Sequence, residues 1–167
     1  GSSLFRIFAK QNMSLSNIII KLNHEICEST SSGMFITMVI GCYDPQKKQV
    51  RLINAGHEPV VFIDSNKQLH SYPANFRPVG IMPIDDEESI ESTTIDAEEG
   101  KIFIYTDGVT EGYINANKEE LGTEGVEKII KENNQSSLKD IIDTIVQTLS
   151  QADQDRRDDI TCLGIKL

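Results

Sequence analysis

Lys101-Ile102-Phe103-Ile104-Tyr105-Thr106-Asp107-Gly108-Val109-Thr110-Glu111 joins an apolar run to an acidic turn. The run predicts a buried strand. An aspartate at its tip, beside a glycine that lets the backbone bend, is a place where a hard cation can be held. A second acidic tip, Arg157-Asp158-Asp159, stands before the apolar run Ile160-Thr161-Cys162-Leu163-Gly164-Ile165. If a last strand over 160–166 lies antiparallel beside 101–105, Asp107 and Asp158 become neighbours at one sheet edge. Two carboxylates forced together repel, so one takes up a proton or a cation sits between them. Oxygen ligands without a His or Cys cluster point to magnesium, manganese or calcium. Asp-Gly after a strand is also ordinary turn chemistry, and Asp158-Asp159 an ordinary solvated loop charge, so both readings stand.

Working outward, Met34-Phe35-Ile36-Thr37-Met38-Val39-Ile40-Gly41-Cys42-Tyr43 is too apolar for a solvated strand and predicts a central one. A turn from Asp44-Pro45 through Lys48 leads to an antiparallel partner over 49–54. Strands at 60–63 and 68–72, joined by Asp64-Ser65-Asn66-Lys67, extend this to a meander over 34–72. The proline-bearing stretch 73–88 predicts a long structured loop, and strands resume at 92–95 and 101–105.

Helical spacing appears at Leu4, Ile7 and Phe8, and again at Leu15, Ile18, Ile19, Leu22 and Ile26, with Ser14 or Ser16 as the N-cap of the second segment. Two further helices are predicted over 124–131 and 138–149, the latter capped by Ser136 or Ser137. Helices, a run of strands, helices and one last strand make an α+β fold with an antiparallel sheet, two layers of strand covered by helices.

The chain has 167 residues and a formal net charge of −10. The length favours one domain, and the acidity argues against a nucleic-acid partner, which calls for a basic face. Cys27, Cys42 and Cys162 are an odd set without CxxC spacing and read as reduced core residues. No apolar run approaches the ~18 residues of a membrane span, and the cytoplasm is the expected compartment. Residues 1–3 read as an expression remnant, and Leu4 enters a helix without a preceding cap, so a truncated chain is expected.

Asn54-Ala55-Gly56-His57, followed by Glu58-Pro59, ends the strand at 49–54. Gly56 is expected at positive φ, with His57 either hydrogen-bonded across the site or pinning the loop. Two rival motifs fail. Asp153, Asp155 and Asp158 lack the glycine and glutamate of a calcium loop, and Tyr105 stands where an aspartyl-phosphate enzyme needs an acid.

Met34-Phe35-Ile36-Thr37, Asn54-Ala55-Gly56-His57-Glu58-Pro59, Pro78-Val79-Gly80-Ile81, Tyr105-Thr106-Asp107-Gly108-Val109-Thr110-Glu111 and Asp158-Asp159-Ile160-Thr161, in this order, resemble the SpoIIE/RsbU branch of the metal-dependent serine/threonine protein phosphatases. The resemblance runs from residue 4 to the end. It implies a PP2C-like antiparallel β-sandwich flanked by helices, with a two-metal Mg2+ or Mn2+ centre at one edge. It also implies hydrolysis of phosphoserine or phosphothreonine on a regulatory protein of the anti-sigma-factor-antagonist type, and an upstream sensor or receiver domain. Asp107 and Asp158 match the catalytic metal ligands, with Gly108 and Asp159 in the same metal set. The resemblance leaves open which of Asp158 and Asp159 is the direct ligand and which its supporting neighbour, and His57, Asn54 and Glu111 are expected to surround the ligands.

One departure is serious. The family's Gly-Asp-Val-x-Gly-His/Lys-Gly segment, which supplies an aspartate bridging both metals, has no match here, nor does a further acidic ligand. The expectation is a chain of residues 4–167 that is the C-terminal main part of one phosphatase domain, lacks N-terminal strands, and is weakly active or inactive. Missing strands expose a sheet edge, so a homodimer by strand pairing is a secondary expectation. The alternative is a non-catalytic binding module of the same fold that docks a signalling partner through loop 73–88.

Overall fold

In chain order the elements are α1 (Leu15–Ser29), β1 (Met38–Asp44), β2 (Gln49–Ala55), β3 (Val60–Asp64), β4 (Leu69–Tyr72), β5 (Thr93–Asp96), β6 (Gly100–Tyr105), α2 (Asp107–Thr110), α3 (Gly122–Glu132), α4 (Leu138–Ser150) and β7 (Cys162–Lys166). The structure, a computed structural model, describes residues 14–29, 33–84, 90–150 and 159–167. The predicted helical segment at Leu4, Ile7 and Phe8 lies outside the described residues. The chain divides into two units, Gly1–His57 with Ala74–Asp96, and Glu58–Pro73 with Ala97–Leu167. Antiparallel sheets with helices make the fold α+β.

In the first unit, Ser14 is the cap of α1: its Oγ accepts the Asn17 N–H at 3.2 Å. Ser16, the other candidate, instead donates to the Ile90 carbonyl. The buried stripe Ile18, Ile19 and Leu22 packs with Ile40, Ile53 and Val79. On the same helix, buried Asn23 holds the loop above it, accepting from the Gly80 N–H at 2.7 Å and donating to the Met82 carbonyl at 3.0 Å. The sheet order is β1-β2-β5, antiparallel throughout.

Three expectations need correction here. The run from Met34 divides in two: Ile36 exchanges both backbone hydrogen bonds with Val79, and only the part from Met38 pairs with β2. Among the described residues β1 is therefore an edge strand and β2 the central one, and Met34, Phe35 and Ile36 are exposed. Cys42, on that edge, faces solvent instead of the core, while Cys27 and Cys162 are partly buried; all three thiols are free. The meander is also interrupted. After Ala55 the chain turns at Gly56, and β3 joins a different sheet from β2.

In the second unit the order is β4-β3-β6-β7, again antiparallel. Val61, Ile63, Phe103 and Tyr105 alternate onto one face and pack with residues of α3 and α4, including Val126, Ile130, Ile141 and Ile145. Phe62 and Ile102, on the opposite face, are also buried. Burial of both faces explains why β3 and β6 read as unbroken apolar runs. Ser137 caps α4, accepting the Asp140 N–H at 3.1 Å and donating to Asp140 Oδ2 at 2.7 Å. Lys101 Nζ donates to the carbonyls of Asn134 and Ser136, tying the α3–α4 connection to β6. Among the described residues no helix is long and apolar enough to cross a membrane.

The β3–β4 turn carries a pH-sensitive contact. Asp64 accepts from the Gln68 N–H and pairs with His70 Nε2, each at 2.9 Å. The His70 hydrogen bond leads in holding the Asp64 carboxyl below its ordinary value of 3.8, against a burial penalty and with help from backbone N–H groups. A depressed carboxylate stabilises the fold above its unfolded pKa and loses that contribution as pH falls through the lower folded value. The stability difference between the parent chain and Asp64→Asn is therefore expected to shrink below pH 3.8. A carboxyl titration by NMR with the Asp64 midpoint at or above 3.8 would overturn this assignment.

Candidate functional site

The expected antiparallel pairing of the last two strands is present: Tyr105 stands opposite Cys162, and Lys101 opposite Lys166. Continuing that register by one residue brings Thr106 against Thr161, where the strands run into the two acidic tips. The Thr106 N–H donates to the Thr161 carbonyl at 3.0 Å, and the Thr161 N–H donates back to Thr106 Oγ1 at 3.0 Å. Thr106 Oγ1 in turn donates to the Asp159 carbonyl at 2.9 Å. A single threonine thus clips the approach to Asp107 to the approach to the final strand.

Past this clip the chain takes one turn of helix, α2. Asp107 is exposed, whereas Gly108, Val109 and Thr110 are buried. Asp107 Oδ1 accepts the Gly108 N–H at 2.9 Å, and the Asp107 carbonyl accepts the Glu111 N–H at 2.8 Å. Glu111 therefore contributes its backbone to this turn, and its side chain is exposed. Asp159 is exposed as well, and Asp158 lies outside the described residues.

Two predicted residues belong to the first unit. Asn54 is fully buried, and its Oδ1 accepts the His57 N–H at 2.9 Å. The Asn54 carbonyl receives the N–H groups of Asn75 and Phe76, while its own N–H goes to Asn75 Oδ1 at 2.8 Å. His57 Nδ1 lies 3.2 Å from Thr37 Oγ1. His57 is thus held through its backbone N–H, with its ring beside Thr37. Gly56 has φ +66°, as the sequence requires.

The sequence reading missed three residues around Asp107. Thr106 is the clip, and a signal for it existed: the predicted register sets it opposite Thr161. Glu58 and Thr110 form a second contact, Thr110 Oγ1 donating to Glu58 Oε1 at 3.1 Å, for which spacing gives no hint because 52 residues separate them. Behind them, the Tyr105 hydroxyl is buried and has no hydrogen-bond partner among the described residues. Burial, reinforced by Glu58, Glu127 and Cys162, pushes its ionisation far above the usual phenol range.

The donors fit a hard cation in kind. Asp107 and Asp159 are exposed carboxylates on adjoining tips, and carboxylate oxygens suit such a cation. The third candidate, Asp158, lies outside the described residues. Among the described residues no group of three or more His, Cys, Asp or Glu could hold a metal ion.

The chain matches the family model for stage II sporulation protein E (SpoIIE) over residues 2–167. It is similar to Protein IcfG of Synechocystis sp., 34% identical over 123 residues that cover 73% of this chain and 19% of that protein. It is also similar to the phosphoserine phosphatase RsbU of Bacillus subtilis, 27% identical over 153 residues that cover 90% of this chain and 44% of RsbU. The chain thus spans less than half the length of either curated relative. Among solved structures, the SiaA-PP2C domain of Pseudomonas aeruginosa superposes with a TM-score of 0.76 at 14% identity, covering 90% of this chain and 59% of that one. The phosphatase domain of SpoIIE from Bacillus subtilis, in a manganese-presoaked crystal, gives a TM-score of 0.65 at 17% identity over 99% of this chain and 70% of that one. With residues 2–167 of the chain matched by the family model and the PP2C fold shared, the chain belongs to the SpoIIE family, in its RsbU-like PP2C branch.

Proposed function

We propose that this chain carries part of the metal centre of a protein serine/threonine phosphatase, acting on phosphoserine or phosphothreonine of a regulatory protein of the anti-sigma-factor-antagonist type. The observation that carries the proposal is the clip at Thr106, which ties the approaches to two acidic tips together in a chain of the SpoIIE family. Asp107 would hold a divalent cation together with Asp158 or Asp159, and Gly108 beside Asp107 leaves the approach free of a side chain. Mg2+ or Mn2+, when bound, supplies Lewis acidity and lowers the pKa of water toward neutrality. The residues of the chain supply charge and position. Two hydrogen bonds from the turn's backbone and the Thr106 bridge fix where the Asp107 carboxylate stands. Asn54 and His57 act through the loop that they hold, without a direct role assigned to the imidazole.

The test is release of phosphate from a phosphoserine peptide by the full-length gene product, with Mn2+ and with a chelator. Metal-dependent release is expected, and equal rates in the chelator would sink the proposal. The 167 residues alone lack any Gly-Asp-Val ligand segment, so weak Mn2+ binding and little turnover are expected of them. Brisk Mn2+-dependent turnover by this chain would show that expectation wrong. A docking role through the loop at 73–84 draws support from Ile81 and Met82, which are 46% and 52% exposed. A gene product that captures the phosphorylated partner but never dephosphorylates it would favour that second reading.

A further inference from the structure

Glu58 comes to Thr110 from a distant part of the sequence, directly after the Asn54–His57 loop. Thr110 is 7% exposed, so its hydroxyl must find its partners inside the protein. Two acceptors lie within reach of its single proton: Glu58 Oε1 and the Asp107 carbonyl, both at 3.1 Å. The Asp107 carbonyl already receives the Glu111 N–H at 2.8 Å. Given a choice, a hydroxyl favours the charged acceptor, since hydrogen bonds to carboxylates are about twice as strong as neutral ones. Threonine in a helical turn otherwise bonds back to the carbonyl of its own turn and tends to bend it. Glu58 therefore competes for the Thr110 proton and leaves the Asp107 carbonyl to the bond that closes the turn.

We propose that Glu58 is a positioning residue for Asp107: through Thr110 it fixes the turn Asp107–Thr110 and so the direction of the Asp107 carboxylate. Its consequence for metal binding rests on the phosphatase reading; its hold on the turn does not.

The test uses Glu58→Ala, Thr110→Val, the double variant, and the conservative Glu58→Gln and Thr110→Ser, each in the metal-free chain and in the full-length gene product. In the metal-free chain, amide exchange at Val109 to Glu111 is expected to quicken roughly tenfold in Glu58→Ala and in Thr110→Val, the loss of one hydrogen bond to a charged group. The double variant is expected to be no faster than either single one. Glu58→Gln and Thr110→Ser, which keep an acceptor and a donor in place, are expected to restore protection. In the gene product, the Mn2+ concentration for half-maximal activity is expected to rise in the same two single variants and to return in the conservative ones. Unchanged exchange in Glu58→Ala, or additive effects in the double variant, would overturn the proposal. So would quickened exchange with an unmoved Mn2+ requirement. If the unsubstituted gene product shows no metal-dependent hydrolysis, the phosphatase reading fails, and the exchange series still decides whether Glu58 holds the turn.

Discussion

Asp107→Asn in the full-length gene product is expected to lower Mn2+-dependent phosphate release by more than about a hundredfold. Losing a residue that merely supports a metal ligand typically costs 10- to 100-fold, so losing a ligand's charge sets a larger floor. The folded structure should hardly notice. The Asp107 side chain is exposed, and its Oδ1 accepts the Gly108 N–H at 2.9 Å, a bond that the carbonyl oxygen of Asn can retain. Unfolding free energy is therefore expected to stay within about 0.5 kcal/mol of the parent. The separation of the two effects is the point of the test, since a variant that unfolds loses activity for trivial reasons. Glu124→Gln, at an exposed position in the first turn of α3, controls for loss of one surface charge. Activity kept to within about tenfold in Asp107→Asn would remove Asp107 from the metal centre.

What the sequence made legible about this site follows the range of the interactions concerned. The antiparallel pairing of β6 and β7 could be anticipated because each strand announces itself by an apolar run and each ends in an acidic tip. The caps of α1 and α4 were narrowed to two serines apiece because a cap acts three residues away. The Thr110–Glu58 contact spans 52 residues and was invisible, since nothing local to either residue requires the other. The misreading of β1 has the same root. Apolar residues at Met34, Phe35 and Ile36 look like the start of a core strand, yet the backbone of Ile36 is claimed by Val79, more than forty residues on. Hydrophobicity states that a segment is apolar, and only the long-range pairing decides where its side chains point. Cys42 lies further along the same edge strand, opposite the exposed Arg51, where the sheet no longer faces the core as it does at Ile40.

Gly56→Ala is expected to destabilise the chain by about 2–5 kcal/mol, through two additive causes. The first is conformational: Gly56 has φ +66°, where a Cβ costs roughly 1–2 kcal/mol. The second is steric, because a Cβ there would lie 2.3 Å from Pro78 Cγ and 2.5 Å from Cδ, and overpacking of this kind costs roughly 1–3 kcal/mol. The obstacle is a ring on a constrained backbone, not the free end of a long side chain. Pro78 stands between Phe76, whose carbonyl accepts the Gly56 N–H at 2.9 Å, and Val79, which is paired with Ile36. Moving the ring therefore strains both attachments. Against a total stability that is typically 5–15 kcal/mol, the loss is large, and thermal unfolding should fall by roughly 5–15 °C. Pro78→Ala removes the two ring carbons and isolates the causes. In the double variant the clash with the ring should vanish, while the conformational part and the 2.9 Å approach to the backbone nitrogen of residue 78 remain, giving a coupling of about 1–3 kcal/mol between the two sites. Because the loop Asn54–His57 is held by the same backbone, His57 would lose its fixed place beside Thr37, 3.2 Å away in the parent, and its ring resonances should broaden or shift. A Gly56→Ala chain as stable as the parent, or a double variant with no coupling, would refute this account of the loop.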